Sequence, residues 1–336
     1  MRVAIWHNNE DIRIENIPTP KPGPKEMLVK VRSCGICGSD IVEWYRLPRA
    51  PLIQGHELGG DVVEVGEFVD KYKIGDRVFI APKVPCMQCD YCRNGHYPVC
   101  SNVKQRLPGG FAEYILVPEP LVVRGTYLLP HNVSYDQGTF IEPLACVVRA
   151  QKIGGIRENQ TVLVLGCGMS GLLHVKMAKA NRCKVITTDI NRKRLEFAQR
   201  IGADATVDAR DNIAERLLAE HKKKADLVVL CTSALAAVEQ AWACVDKGGG
   251  IVFFAVPGPD KTVTVPINNF WTKEIRLLTS YYCGPPDIME AITLLESGII
   301  TVEDMITHRL PLSDIEKGFQ LVLGGHESIK VIIKPH

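Results

Sequence analysis

The chain has 336 residues, 46% of them apolar, with a formal net charge of +2. That length suggests about two domains of ~150 residues each and is ample for a core that needs no disulfides. The charge is not the basic footprint of a nucleic-acid binder, no apolar run reaches the roughly 18 residues of a membrane span, and "RVAIW" after Met1 lacks a signal-peptide core. No nucleic-acid or membrane partner is therefore expected, and a cytoplasmic location is.

Residues 1–148 read as short strands broken by Gly and Pro: "RVAIW", "IRIENI", "MLVKVRS", "GDVVEVG", "RVFIAP" and "FAEYILVP". Such punctuation predicts a β-rich barrel-like or sandwich unit. Over 149–282 the pattern changes. "TVLVLG" precedes the helical "MSGLLHVKMAKA", "KVITTD" precedes "RKRLEFAQRIG", "DLVVLC" precedes "ALAAVEQAWACV", and "GGIVFFAV" follows. Apolar strands alternating with helices predict a doubly wound parallel sheet, so the fold class is α/β. Residues 283–336 return to helices, "PDIMEAITLLESG" and "SDIEKGFQLVLGG", and end on the strand-like "SIKVIIK". Ser313 and Glu316 form a capping-box pattern at the second of these helices.

Twelve cysteines are many for a chain in a reducing compartment, where clustered thiols more often bind metal than pair. Cys34, Cys146, Cys183, Cys231, Cys244 and Cys283 stand singly and suit small buried hydrophobes. Cys86, Cys89, Cys92 and Cys100 form C-x2-C-x2-C-x7-C in a polar, turn-rich stretch that offers no apolar core. Four thiolates on one loop can close a tetrahedral structural zinc site. An iron–sulfur cluster is the alternative, but the bacterial ferredoxin spacing is not met.

A second constellation comprises Cys37 in "CGICGSD", His56 and Glu57 in "GHE", and Glu142 in "IEPLA". One thiolate, one imidazole and one or two carboxylates suit zinc with a position left open for water or substrate. Asp40 is a candidate to accept a hydrogen bond from the other ring nitrogen of His56. Taken singly, each residue also has a plain reading as core, surface or helix-start residue.

Gly166, Gly168 and Gly171 form G-x-G-x-x-G directly after "TVLVL" and open a helix, the context of a dinucleotide site. Met169 and Ser170 lie within the motif, and Cys167 is a small packing residue there. Asp189 ends the next strand, 18 residues on from Gly171. A carboxylate there bonds ribose hydroxyls and repels a 2′-phosphate, which favours NAD over NADP. Arg192, Lys193 and Arg194 follow, either as a solvated helix start or, for Arg194, at the cofactor.

"GHELGGDVVEVGEFV", with Gly55, His56, Glu57, Gly60, Gly66 and Val69, resembles the signature of zinc-containing alcohol dehydrogenases. "GICGSD", the four-cysteine loop, "IEPLA" and the glycine motif follow in the order found in the medium-chain dehydrogenases, across essentially the whole chain. The resemblance is to the sorbitol (polyol) and threonine dehydrogenase branch, because both Glu57 and Glu142 are present. It implies a GroES-like catalytic domain over 1–148, a Rossmann NAD-binding domain over 149–282, and a return of 283–336 to the first domain. It implies two zinc ions per chain, a catalytic one on Cys37 and His56 with Glu57, Glu142 or both in turn, and a structural one on the four-cysteine loop. It implies cofactor contacts at Gly166, Gly168, Met169, Ser170, Gly171, Asp189 and Arg194, and a homo-oligomer, tetramer or dimer.

The activity implied is reversible oxidation of a secondary hydroxyl of a polyol or sugar-like alcohol to a ketone, with hydride transfer to NAD. An L-threonine 3-dehydrogenase or simple secondary alcohol dehydrogenase is the nearest alternative, and a non-catalytic zinc- and nucleotide-binding protein the remote one. Ser39 stands where the family passes the substrate proton onward. Three residues later, many relatives carry a histidine; here the residue is Val42. The segment from Cys37 to His56 is short, and its Trp44, Tyr45 and Arg46 either line the substrate pocket or serve in an interface or core.

Overall fold

A computed structural model describes residues 1–336, which fall into two compact units: Met1–Ala145 with Cys283–His336, and Cys146–Tyr282.

The first unit is built on a seven-stranded sheet. Its order is Thr126–Leu128, Arg77–Ile80, Glu57–Val65, Met27–Gly35, Lys330–Lys334 and Ile306–Pro311, with Tyr114–Val117 also on Met27–Gly35. The nine residues of Met27–Gly35 are buried at seven positions, as a central strand requires. They serve three partners. One edge runs along Glu57–Val65; the other meets Tyr114–Val117 through Met27–Lys30 and Lys330–Lys334 through Cys34 and Gly35. The last strand of the chain is thereby stitched beside Gly35. A three-stranded sheet of Asp11–Asn16, Arg2–Asn8 and Leu52–Ile53 completes the β-rich part. Trp6, Phe79, Phe111 and Phe319 are fully buried in this unit, and Phe111 meets Phe319 edge to face at 5.9 Å.

The capping box expected at Ser313 and Glu316 does not form. A 3-10 turn over Leu312–Asp314 takes up Ser313, so the helix Ile315–Gly324 begins after Asp314. Ser313 Oγ bonds Asp314 Oδ1 instead of the helix backbone. A capping box does form at Ser134 and Gln137.

The second unit holds a six-stranded, all-parallel sheet. Its order is Ala205–Asp208, Lys184–Asp189, Thr161–Leu165, Ala225–Leu230, Val245–Phe253 and Arg276–Thr279. Numbered along the chain this is 3-2-1-4-5-6, the doubly wound order whose direction reverses beside the first strand. Every residue of Thr161–Leu165 is buried, which explains its unbroken apolar run. The glycine motif leaves that central strand at its carboxyl end, at the reversal point.

Candidate active site

Strand pairing brings the metal-type residues together. Gly35 lies opposite Glu57 in the antiparallel register, so Cys37, two residues past one strand, meets His56 and Glu57 at the start of the other. Ligand atoms of Cys37, His56 and Glu57 all lie within 4.8 Å of one another. Asp40 folds the Cys37 loop: its Oδ2 accepts from Cys37 N at 3.0 Å, and its N–H donates to Cys37 O at 2.9 Å. Its Oδ1 lies 3.3 Å from His56 Nδ1, which leaves the other ring nitrogen for a metal.

The electrostatics follow from this crowding. Burial pushes the Cys37 thiol up, as does the charge of Glu57, against the pull of His56. Burial also pulls His56 down, but the charges of Asp40 and Cys37 outweigh it and hold the imidazole well above its ordinary value. Asp40 is raised by burial and lowered more by His56 and Arg46, so it stays a carboxylate.

Glu57 is fully buried, and its Oε2 pairs with Lys330 Nζ, itself fully buried in the last strand. Lys330 also lies over the Phe140 ring at 5.1 Å. A Cβ on Gly35 would come within 2.6 Å of both Glu57 Oε2 and Lys330 Nζ, so glycine here lets the pair sit against the strand without shifting. Glu57 Oε1 is buried with no hydrogen-bond partner. Such an atom carries a large desolvation cost unless something binds it. A cysteine sulfur, an imidazole nitrogen and a carboxylate oxygen within 4.8 Å of one another, on a Glu57 that keeps one oxygen without a partner, fit a zinc ion. Glu142 opens the helix Ile141–Gly154 and is not in this set; its carboxylate lies within 4.8 Å of Cys283 Sγ.

Ser39 N points at Cys37 Sγ at 3.4 Å, and Ser39 Oγ accepts from Arg46 Nη2 at 2.9 Å. Trp44 is 53% exposed, whereas the Arg46 side chain is only 12% exposed. Neither the Arg46–Ser39 contact nor the Lys330–Glu57 pair was read from sequence. For Lys330 a signal existed: it opens the buried run "KVIIK", and a buried lysine demands a carboxylate.

In the four-cysteine loop, ligand atoms of all four residues lie within 4.8 Å of one another. Cys86 and Cys92 sulfurs stand 3.9 Å apart, as do those of Cys89 and Cys100. That is far from a disulfide at ~2.05 Å and close to the ~3.8 Å edge of a tetrahedron with ~2.3 Å zinc–sulfur bonds. Backbone N–H groups of Cys89 and Asn102 donate to Cys86 Sγ and Cys100 Sγ at 3.3 Å. Backbone N–H donors pull the Cys89 thiol down to about 5, while burial pushes Cys92 up to about 12.

In the second unit, Gly166 adopts φ +101°, a conformation that favours glycine. A Cβ on Gly171 would fall 1.8 Å from Gly166 O, so the helix can start only with glycine there. Gly168 precedes the helix Met169–Ala180 without a side-chain cap. First-turn N–H groups left free this way suit a pyrophosphate. Asp189 Oδ2 accepts from Cys167 N and Oδ1 from Asn191 N, each at 2.7 Å. Cys167 is fully buried and faces Thr187 Oγ1 at 3.0 Å. Arg194 Nη1 lies 3.9 Å from where a Gly168 Cβ would be, against the glycine turn.

Comparison with known proteins extends over the whole chain. Residues 23–127 match the family described as "Alcohol dehydrogenase GroES-like domain", and residues 171–297 match "Zinc-binding dehydrogenase". The sorbitol dehydrogenase of Gallus gallus is 32% identical over 98% of this chain and 95% of its own. The erythritol/L-threitol dehydrogenase of Mycolicibacterium smegmatis is 32% identical over 100% of this chain and 98% of its own. A zinc-binding dehydrogenase of Sinorhizobium meliloti, solved bound to NADP, superposes with a TM-score of 0.89 at 29% identity, covering 99% of each chain. Likeness of that extent places the chain in the zinc-dependent medium-chain alcohol dehydrogenase family, among its polyol dehydrogenases, as an oxidoreductase that works with zinc and a nicotinamide cofactor.

Proposed function

We propose that this enzyme oxidises a secondary hydroxyl of a polyol or sugar-like alcohol to the ketone, reversibly, with NAD as hydride acceptor. The observation that carries the reading is that ligand atoms of Cys37, His56 and Glu57 lie within 4.8 Å of one another while Glu57 keeps Oε1 buried without a partner. These three would hold a catalytic zinc, and Cys86, Cys89, Cys92 and Cys100 a structural one, one of each per chain. Zinc held there would supply Lewis acidity toward a substrate hydroxyl, and a bound nicotinamide would supply the hydride acceptor. Cys37 and Glu57 keep the site anionic enough to retain a dication, and Asp40 orients His56. Ser39 supplies a hydroxyl beside Cys37 to bond the reacting oxygen. Glu57 is our choice as third ligand over Glu142, on proximity. In the second unit, the N–H groups from Met169 to Gly171 take the pyrophosphate, with Gly166, Gly168 and Arg194 around it. Asp189 takes the ribose hydroxyls and disfavours a 2′-phosphate.

The protein is further read as a cytoplasmic homo-oligomer, a tetramer or a dimer. Twelve free cysteines suit a reducing compartment, and no helix is long and apolar enough to cross a membrane. The parallel sheet ends on Arg276–Thr279, which pairs on one side only, and Trp271 nearby in sequence is 80% exposed. An open strand edge with apolar neighbours suits a second copy.

The test is NADH appearance from zinc-loaded protein offered polyols, inositols, sugars, simple secondary alcohols and threonine, with NADP in parallel. Turnover of a vicinal polyol with NAD is expected. Turnover of threonine alone would replace this reading with a threonine dehydrogenase, and silence with zinc and NAD bound would overturn it.

A further inference from the structure

The short segment between Cys37 and His56 sends one arginine inward. Arg46 ends the helix Glu43–Arg46. Its Nε donates to Ser39 O at 2.9 Å, and its Nη2 donates to both Ser39 Oγ and Asp40 Oδ1, each at 2.9 Å. The guanidinium also packs on the Tyr45 ring at 5.1 Å, a ring that carries Arg49 at 4.8 Å. Arg46 is therefore fixed at several points, and it holds Ser39 by backbone and hydroxyl together.

A serine hydroxyl has one proton and two lone pairs, and a guanidinium has only donors. Ser39 Oγ must accept from Arg46, so its own O–H points elsewhere. Accepting a bond from a cation polarises the hydroxyl, making it a stronger donor and a poorer acceptor. The Arg46 guanidinium offers only donors and no lone pair to take a proton, and Val42 has nothing to take one. Neither of these two residues therefore offers Ser39 an onward step for a proton, and the Glu43 carboxylate of the same segment is engaged elsewhere, accepting from Asn9 N at 3.0 Å.

We propose that Arg46 is a positioning residue for alcohol oxidation, which fixes Ser39 as a hydrogen-bond donor to the substrate oxygen, so that the hydroxyl proton released as the alcohol becomes a ketone passes to solvent water at the site and not through Ser39. The inference rests on the reading of Cys37, His56 and Glu57 as the alcohol site. Arg46 acts through Ser39 and beside Asp40, so two consequences separate its roles. Holding Ser39 affects turnover; propping the Asp40–His56 pair affects metal retention.

The experiment is a double-mutant cycle of Arg46→Met and Ser39→Ala in the full-length enzyme, with Arg46→Lys as the conservative variant. Measured are kcat, KM, zinc content by metal analysis and NADH binding by fluorescence. Each single change is expected to lower kcat roughly 10- to 100-fold, the range of a hydrogen bond to a charged group, with a smaller effect on KM. The double variant is expected to be no slower than Ser39→Ala, Arg46→Lys to regain part of the loss, and zinc and NADH to bind as in wild type. Losses that multiply, or zinc that drops with Arg46→Met, would overturn the proposal and leave Arg46 a structural prop. Absence of turnover in the wild type, with zinc and NADH bound, would instead overturn the reading of the site itself.

Discussion

Lys330→Met tests how the first unit tolerates its buried charges. Lys330 and Glu57 are both fully buried and paired only within the protein interior. Methionine keeps the unbranched apolar stem, so packing changes little, but the carboxylate loses its counter-charge. Breaking a buried pair by removing one partner costs about 3–5 kcal/mol, because the remaining charge stays uncompensated. For a unit of about 200 residues that is a fall in midpoint of about 6–20 °C. A dication at Cys37, His56 and Glu57 would itself compensate the carboxylate, so the loss is expected to be largest in metal-stripped protein and smaller after zinc is restored. Glu57→Gln added to Lys330→Met is expected to recover most of the loss, since removing both charges is far less costly than removing one. Thermal unfolding of the four proteins, stripped and zinc-loaded, provides the measurement. A Lys330→Met protein that unfolds within ~2 °C of wild type in both states, or a double variant less stable than either single one, would refute the reasoning.

Asp189→Ala is expected to lower kcat/KM for NAD by roughly 10- to 100-fold, the worth of charge-assisted hydrogen bonds, and to narrow the preference over NADP; steady-state kinetics with both cofactors measures it. His174 is wholly buried in the second unit, and burial pulls it down to about 3, against an ordinary value near 6.5. Its folded value lies below its unfolded one, so its stabilising contribution is complete above pH ~6.5 and is lost progressively as the pH falls toward 3. At pH 5 the loss is about 2 kcal/mol. His174→Gln, which keeps a polar partner for Gln151, is expected to flatten this part of the stability profile between pH 7 and pH 5, read by denaturant titration. Cys92→Ser removes one corner of the four-sulfur set. Metal analysis should find one zinc fewer, and proteolysis should open the 86–100 loop first; cleavage unchanged from wild type would count against a metal holding that loop.

Fold class was legible because each unit announces its period. Short punctuated strands mark the first, and apolar strands alternating with helices mark the second. "MSGLLHVKMAKA" and "KVITTD" match the helix Met169–Ala180 and the strand Lys184–Asp189 residue for residue. The Gly166 turn was legible because both a φ of +101° and the approach of Gly171 leave no choice but glycine. What sequence left open depends on partners far along the chain. Glu57 and Glu142 look alike as ligands until register sets Glu57 opposite Gly35. Lys330 finds Glu57 across 273 positions, which no local pattern encodes. Arg46 was one of three residues with two readings, and only the fold of the Cys37 loop turns it toward Ser39. Ser313 was misread because the capping-box spacing does not reveal that a 3-10 turn absorbs the serine.

The most direct test strips the enzyme of metal and follows NADH production from a vicinal polyol and NAD as zinc is added back. Turnover should be absent in the stripped protein, return with zinc in the wild type, and fail to return in His56→Ala although the four-cysteine loop still takes up its ion. Turnover by the stripped enzyme, or full recovery in His56→Ala, would contradict a zinc-dependent site at Cys37, His56 and Glu57.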